Sequence, residues 1–468
     1  MMEVDTFGRK RLRVSLDELR HRGGAYTLFA IVVLATSIGG LTQTVMNSML
    51  IGVQADFGVD ASIGQWLTTI YMLTMGITVP VMTYLSQKIS VRNIVYLALG
   101  FFAAGAMVDL VAPTFGVLVC GRVLQGVAAG ITIPLVQAVA MTRFPRERVG
   151  TMMGISGIAM GFAPNIGPLI GGALMDTWGW RSFFVIFLCI VAVLALANFL
   201  LVEREENPAR PASLDVVSFA LSTVGFGGLL LGFSNAASMD VRSPFVWAPL
   251  VVGALVIAAF VLRQRKVEQP LISMRIFESA NYRASFVAQN LLNASFMGIT
   301  LVIPLYVQDV LGSTAVAAGL VFIPATINAM FLNPLAGILL DRVGTRPVVL
   351  VAGVFLVAGS VSMAFVDEST SLMLLTLMQT VRGAGVSMLI GPLITYGMMG
   401  LPHEITMDGS AFFATVRQAC ASLGTAGMVL VITLASAAGA PALAYQLAFG
   451  LSAAFAVAMF VCVIWKVR

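Results

Sequence analysis

Long apolar runs alternate with short charged segments along almost the whole of the 468-residue chain. A helix that crosses a bilayer needs about 20 mostly apolar residues. By that rule the pattern predicts fourteen spans, at 26–50, 63–87, 92–112, 115–141, 150–174, 181–202, 213–234, 244–263, 282–308, 315–340, 346–366, 370–396, 407–436 and 441–465. The polar stretches between them are too short for a soluble domain, so the chemistry takes place in or beside the membrane.

Composition agrees with an integral membrane protein. Hydrophobic residues make up 59% of the chain and charged residues only 10%, whereas a soluble domain carries about 25% charge. One set of alternate loops holds most of the Lys and Arg residues, and the opposite set holds only Arg181 and Arg242. Because basic loops stay in the cytoplasm, this asymmetry predicts a multi-pass protein with both termini cytoplasmic. It also explains the net charge of +5 without nucleic-acid binding.

Several classes of site are absent from the sequence. The four cysteines, Cys120, Cys189, Cys420 and Cys462, lie within predicted spans, which favours helix packing over disulfides or metal ligands. The chain has two histidines, too few for a metal cluster, and it has no G-x-x-x-x-G-K loop for ATP. We therefore expect no enzyme activity, no catalytic residues, no metal and no cofactor.

Three arginines, Arg122, Arg382 and Arg417, lie inside predicted spans. An ion in hydrocarbon is expensive, so these side chains are expected to face the bundle interior or a water-filled path. Such residues are functional candidates, and they predict a transporter with a cationic interior.

Short internal repeats suggest how the helices are grouped. The segment at 339–346 aligns with that at 85–92, and the pattern around Arg122 is echoed around Arg382. We interpret the chain as a cytoplasmic segment at 1–25, two six-helix halves at 26–202 and 282–468, and a linker at 203–281 that carries two inserted spans. Chance recurrence of Gly/Arg patterns is the alternative for each echo taken alone.

Four motifs stand out from the apolar background. G-I-L-L-D-R-V-G-T-R occupies 337–346, and R-V-L-Q-G begins at Arg122. Gly and Pro recur at steps of three and four before and within G-P-L-I-G-G at 167–172, and R-Q lies at 417–418. The glycines allow close helix packing, the prolines bend a helix, and Asp341 can cap the N-terminus of a neighbouring helix.

Together these motifs resemble the major facilitator superfamily, and within it the fourteen-helix drug/proton antiporter group (EmrB/QacA-like). The resemblance covers nearly the whole chain and implies an all-α major facilitator fold in a prokaryotic cytoplasmic (inner) membrane. It implies a cytoplasmic gate at Lys88, Arg92, Asp341, Arg342 and Arg346. It also implies an antiporter motif at Gly161, Gly167, Pro168, Gly171 and Gly172, although close helix packing alone would produce the same glycines.

The proton-coupling group is where the chain departs from the family. Helix one reads L-T-Q-T-V-M-N at 41–47, with Thr42 in place of the family's acid, and Gln87 replaces the acid of the first-half gate loop. A coupling site usually needs a desolvated carboxylate, and the predicted spans contain none near mid-membrane. Asp109, near the outer end of its helix, is the remaining candidate for coupling to protons; sodium is the other candidate ion.

The predicted transport path combines amides, aromatic rings and arginines. Its members are Gln43, Asn47, Trp66, Tyr71, Arg122, Gln125, Asn293, Asn328, Arg382, Arg417 and Gln418. This set predicts multidrug-type efflux of amphiphilic small molecules by alternating access, driven by an ion gradient across the lipid bilayer. The alternative is uptake or exchange of an organic anion, such as a steroid-acid or carboxylate metabolite, and a transport-inactive sensor is a distant third.

Overall fold

The computed structural model describes residues 16–59, 61–64, 66–203, 215–238, 243–267, 270, 272–313, 315–437 and 441–467. Most of the predicted 1–25 segment therefore lies outside the described residues. Within the described ranges every regular element is helical. The α-helices are α1 (Leu16–Phe57), α2 (Ala61–Gly64), α3 (Trp66–Thr78), α4 (Val81–Lys88), α5 (Val91–Leu110), α6 (Phe115–Thr142), α7 (Arg146–Gly157), α8 (Ala163–Trp178), α9 (Arg181–Leu201), α10 (Val216–Ser238), α11 (Pro244–Gln264), α12 (Ala280–Asp309), α13 (Ala315–Leu320), α14 (Ile323–Val343), α15 (Thr345–Met363), α16 (Leu372–Met399), α17 (Thr406–Ala437) and α18 (Pro441–Lys466).

Twelve helical stretches in these ranges are long and apolar enough to cross a membrane. The two remaining predicted spans are helical but broken. The span at 63–87 comprises α2, α3 and α4, with a turn at 79–80 that contains Pro80. The span at 150–174 comprises α7, a π-helical turn at Ile158–Phe162, and α8. Proline lacks a backbone N–H, and Pro80 and Pro164 account for both interruptions.

Basic residues collect at one end of the helical bundle. We call this end the basic face; it is marked by Lys88 at the end of α4, Arg143 after α6, Arg263 in the last turn of α11, Arg342 in α14 and Lys466 in α18.

The helices from α1 to α9 pack on one another, and so do those from α12 to α18. We call these sets the N-terminal and the C-terminal helices. α10 and α11 pack as a pair, and α10 lies against α3 of the first set and α17 of the second. The two sets also meet directly, where α7 packs on α14 and α16 and α6 packs on α17. The pair α10–α11 therefore lies beside the junction of the two sets.

Candidate functional site

Arg122 is fully buried in the N-terminal helices, and every nitrogen of its guanidinium group donates a hydrogen bond. Nε donates to the Leu67 carbonyl (3.2 Å), Nη2 to the Thr42 carbonyl (3.1 Å) and Nη1 to Gln125 Oε1 (2.7 Å). The guanidinium carbon lies 4.4 Å from the centre of the Tyr71 ring. Because Leu67 and Thr42 belong to α3 and α1, Arg122 joins three helices. Each nitrogen of the buried cation therefore has an acceptor on the protein.

Asp109 completes this group of side chains. Gln125 Nε2 donates to Asp109 Oδ2 at 2.8 Å, so that a carboxylate, an amide and a guanidinium follow one another. Asp109 is fully buried, and its Oδ1 has no hydrogen-bond partner among the described residues. Gly105 and Gly121 allow this arrangement, because a Cβ at Gly121 would collide with the Asp109 carboxylate and a Cβ at Gly105 with Gln125. A buried carboxylate with one free oxygen can gain and lose a proton.

Arg382, in the C-terminal helices, is equally buried but has fewer partners. Nη2 donates to the Ser295 carbonyl at 2.8 Å, and the guanidinium carbon lies 6.0 Å from the centre of the Phe296 ring. Nε and Nη1 have no hydrogen-bond partner among the described residues. Arg122 and Arg382, which occupy similar sequence patterns, therefore have different surroundings.

Arg417, in α17, is half-buried, and no hydrogen bond or ion pair to it is present in the described part of the chain. Gln43, Asn328 and Gln418 are also half-buried, and Trp66 is exposed. The other predicted path residues, Tyr71, Arg122, Gln125, Asn293 and Arg382, are buried in helix packing. Asn47 lies in α1, but its side chain is outside the described residues. Within the predicted path, Arg417 is thus a half-buried cation whose guanidinium has no hydrogen-bond partner among the described residues.

Asp341 binds the N-terminal helices directly. Its carboxylate accepts hydrogen bonds from the Gly150 N–H (2.8 Å), the Thr151 N–H (2.7 Å) and the Thr151 hydroxyl (2.6 Å), all in α7. A Cβ at Gly150 would collide with this carboxylate and with the Gly337 carbonyl. The contact therefore needs both glycines, and it joins α14 to α7 near the basic face.

None of the four basic residues predicted for the gate is hydrogen-bonded to Asp341 in the described part of the chain. Arg342 and Arg346 are exposed. Arg92 donates from Nη2 to the Phe199 carbonyl at 3.0 Å, and Lys88 lies over the Tyr84 ring at 5.3 Å. In this conformation the partners of Asp341 are amides and a hydroxyl of α7.

A second contact between the two sets of helices was not predicted from sequence. The buried Ser410 hydroxyl of α17 lies 2.8 Å from Gln137 Oε1 and 3.1 Å from the Pro134 carbonyl of α6. Asn333 of α14 donates to the Gly157 carbonyl at 3.3 Å. The only sequence signal for Gln137 is an amide in an apolar stretch of α6 close to Pro134.

Gln87 and Asp408 line a cavity of about 1190 Å³ at the basic face, between α11, α12 and α17. Asp408 Oδ2 accepts a hydrogen bond from the Ser273 N–H (2.8 Å), and Gln264 Oε1 accepts one from the adjacent Ile272 N–H (3.1 Å). The segment that follows α11 is therefore attached to α11 itself and to the first turn of α17.

The small residues of α8 pack on α1. A Cβ at Gly167 would collide with Thr44 and lie 3.0 Å from the Leu41 carbonyl, and a Cβ at Gly171 would collide with Ser48 and the Val45 carbonyl. Gly172 faces open space, and Gly161 is half-buried. Pro168 lies in α8, with its side chain outside the described residues. Gly167 and Gly171 thus serve the close helix packing expected of small residues four apart.

Comparison with known proteins identifies the family. A model of the Major Facilitator Superfamily matches residues 32–425. The uncharacterized MFS-type transporter YcnB of Bacillus subtilis (strain 168) is 34% identical over 439 residues, 93% of each chain. The lincomycin resistance protein LmrB of the same organism is 30% identical over 444 residues, 92% of each chain.

The fold is also found among solved structures. The human organic anion transporter MFSD10 (TETRAN) aligns with a TM-score of 0.67 at 14% sequence identity, over 94% of this chain and 99% of that chain. The family match spans most of this chain, and YcnB is matched over nearly its full length. The chain is a member of the major facilitator superfamily of membrane transporters.

Proposed function

We propose that the protein exports amphiphilic small molecules by alternating access, driven by an ion gradient. The observation that carries this mechanism is the closure of the basic face by a few hydrogen bonds between the N-terminal and C-terminal helices. Asp341 contacts Gly150 and Thr151, and Ser410 contacts Gln137. These hydrogen bonds can break together when the two sets of helices rock apart.

The proposed membrane arrangement has fourteen spans, with the basic face and both termini in the cytoplasm. Counting the broken segments α2–α4 and α7–α8 as spans adds two to the twelve membrane-length stretches. The N-terminal and C-terminal helices then form six-helix halves, and α10–α11 form the inserted pair. The Lys and Arg residues of the basic face support this orientation in a prokaryotic inner membrane.

Export of drug-like amphiphiles is supported by two features of the chain. LmrB, named for lincomycin resistance, matches 92% of the chain. The proposed path residues Gln43, Asn328, Arg417 and Gln418 are half-buried polar groups. Amphiphilic ligands suit sites that combine apolar walls with a few such polar groups.

Proton coupling is proposed to use Asp109. Its free carboxylate oxygen can take up a proton, and Gln125 links the other oxygen to Arg122. Since Arg122 also holds the carbonyls of α1 and α3, the charge on Asp109 affects the packing of several helices. Sodium is the alternative coupling ion.

Flux into proteoliposomes under an imposed pH gradient tests the proposed function. A radiolabelled lincosamide or another amphiphile is expected to accumulate only when protons flow in the opposite direction. A sodium gradient imposed at constant pH is the control for the coupling ion. Transport that equilibrates but never accumulates under either gradient would contradict ion-driven export.

A second candidate function is uptake or exchange of an organic anion, and the unpaired guanidinium of Arg417 favours it. Such a group can take a bidentate contact from a carboxylate or sulfonate. We expect Arg417→Ala to weaken binding of an anionic amphiphile about tenfold or more, the loss of a single charge-assisted hydrogen bond of about 1.5–3 kcal/mol. Binding of a matched neutral amphiphile is expected to change much less.

Tryptophan quenching or isothermal titration with matched anionic, neutral and permanently cationic amphiphiles measures this preference. Thr433→Ala is the control on the same helix, because Thr433 lies outside the proposed path and its hydroxyl donates only to the Val429 carbonyl within α17. Tighter binding of the cation than of the anion, with anion binding intact in Arg417→Ala, would contradict this second candidate function and favour export of cationic drugs.

A further inference from the structure

The wall of the cavity between α11, α12 and α17 carries charges of both signs. Its charged residues are Arg265, Arg275, Arg283, Glu278, Glu404 and Asp408. Within this described wall the three positive charges equal the three negative ones in number, so a ligand that carries both signs and no net charge matches the cavity. The volume of about 1190 Å³ lies above the range of roughly 300–1,000 Å³ that is usual for small-molecule pockets, so the ligand can be large.

These opposite charges do not neutralise one another by direct contact. No ion pair joins the three arginines to the three carboxylates in the described part of the chain. Asp408 is buried, and its one donor among the described residues is the Ser273 N–H, 2.8 Å from Oδ2. A carboxylate has about four acceptor positions. Asp408 therefore keeps the capacity to accept hydrogen bonds from a ligand in the cavity.

The same cavity has an aromatic wall. Phe277, Phe286 and Phe412 line it, and their ring centroids lie 5.4–5.6 Å apart. Phe277 belongs to the segment before α12, whereas Phe286 lies in α12 and Phe412 in α17. An apolar surface beside charges of both signs suits an amphiphile with a dipolar head and a hydrocarbon tail.

The cavity adjoins a gap between α11 and α12. Among the described helices, α11 packs closely only on α10, so helix packing does not close the space between α11 and α12. Leu262 and Val287 are exposed apolar side chains next in sequence to the lining residues Val261 and Phe286. Lipid tails are as apolar as such side chains, so apolar surface continues from the cavity toward the surrounding bilayer.

We propose that this cavity binds the headgroup of phosphatidylethanolamine, a phospholipid that carries a phosphate and a primary ammonium group. Arg265 and Arg283 donate to the phosphate, as guanidinium groups commonly do. The ammonium group donates to Asp408 and Glu404, and the acyl chains follow the phenylalanines into the gap between α11 and α12. Phosphatidylcholine has no N–H to donate, and phosphatidylglycerol has no cation. The inference rests on the proposed membrane arrangement, which places the basic face at the inner leaflet.

Native mass spectrometry of the purified full-length protein tests this site. The protein is equilibrated in detergent micelles with an equimolar mixture of phosphatidylethanolamine, phosphatidylcholine and phosphatidylglycerol that have the same acyl chains. We expect one phosphatidylethanolamine per chain to be retained in about tenfold or greater preference to the other two, the effect of one charge-assisted hydrogen bond. The measurement needs neither a gradient nor a substrate, so its result is independent of whether the protein exports.

Two variants separate the parts of the headgroup. Asp408→Asn is expected to abolish the preference over phosphatidylcholine, and Arg265→Gln to weaken retention of all three lipids. Lys266→Gln is the matched control, because Lys266 is exposed and is not among the described residues of the cavity wall. It is expected to retain lipid as the wild type does. If Asp408→Asn does not fold, Glu404→Gln removes an exposed carboxylate from the same wall and is expected to reduce the preference.

Several results would overturn the proposal. Equal retention of the three lipids by the wild type, or a preference for phosphatidylglycerol, would show that the opposed charges do not select a dipolar headgroup. An unchanged preference in both Asp408→Asn and Arg265→Gln would place the lipid elsewhere. Displacement of the lipid by the amphiphile used in the transport assay would assign the cavity to the transport path instead.

Discussion

Asp109→Asn is expected to abolish transport driven by a pH gradient while leaving substrate exchange intact. Asparagine resembles the protonated carboxylic acid in shape and charge but cannot release a proton. The Gln125 amide can still donate to the Asn oxygen, so the hydrogen bond of 2.8 Å and the packing against Gly121 are expected to survive. Exchange of substrate across the membrane needs no net proton movement, and gradient-driven accumulation does.

The measurement is uptake into proteoliposomes of the variant, first with an imposed pH gradient and then with unlabelled substrate in exchange. Driven uptake is expected to fall to the level of protein-free liposomes. Asp367→Asn is the matched control, since Asp367 lies in the loop between α15 and α16 and its carboxylate accepts hydrogen bonds only from Ser369 and Thr370 among the described residues. Driven uptake that is unchanged in Asp109→Asn would remove Asp109 from the mechanism and leave sodium, anion exchange or facilitated diffusion.

The surroundings of Asp109 show how far sequence reasoning reaches. The apolar runs predicted the helices well, because a bilayer-spanning helix has a length and composition that are visible in sequence. The positions of Asp109 along α5 and of Arg122 along α6 were enough to predict that the two residues lie at a similar depth. Gln125 was expected as an acceptor for Arg122, but its hydrogen bond to Asp109 could not be predicted, because that bond depends on the rotation of both helices and on the missing side chains at Gly105 and Gly121.

The arginines show where the same reasoning falls short. Depth alone predicted three interior cations, but their surroundings differ: Arg122 is hydrogen-bonded to Gln125, Arg382 is buried with two nitrogens unpartnered among the described residues, and Arg417 is half-buried. These differences come from residues on other helices, which a pattern along one helix does not contain. The contact of Ser410 with Gln137 was missed for the same reason, since 273 residues separate the two in sequence.

Asp341→Asn is expected to slow turnover far more than Gln87→Ala, although both positions belong to the repeated loop motif. The Asp341 carboxylate accepts three hydrogen bonds from Gly150 and Thr151 of α7. Asparagine keeps one acceptor oxygen and turns an NH₂ group toward a backbone N–H, so at least one of these bonds is lost. A hydrogen bond to a charged group contributes about 1.5–3 kcal/mol. Its loss therefore shifts the balance between closed and open basic faces by roughly tenfold or more.

Gln87 is the matched comparison because it aligns with Asp341 in the other copy of the motif, at 85–92. It lies half-buried in the wall of the cavity beside Asp408, and its side chain has no hydrogen-bond partner among the described residues. Removing it therefore breaks no contact between the two sets of helices. Spin labels at Lys88 and Arg342, both exposed, report the opening of the basic face in a background without the four native cysteines. We expect Asp341→Asn to populate longer distances and Gln87→Ala to leave the distribution unchanged; equal effects would mean that the degraded first copy still acts as a gate.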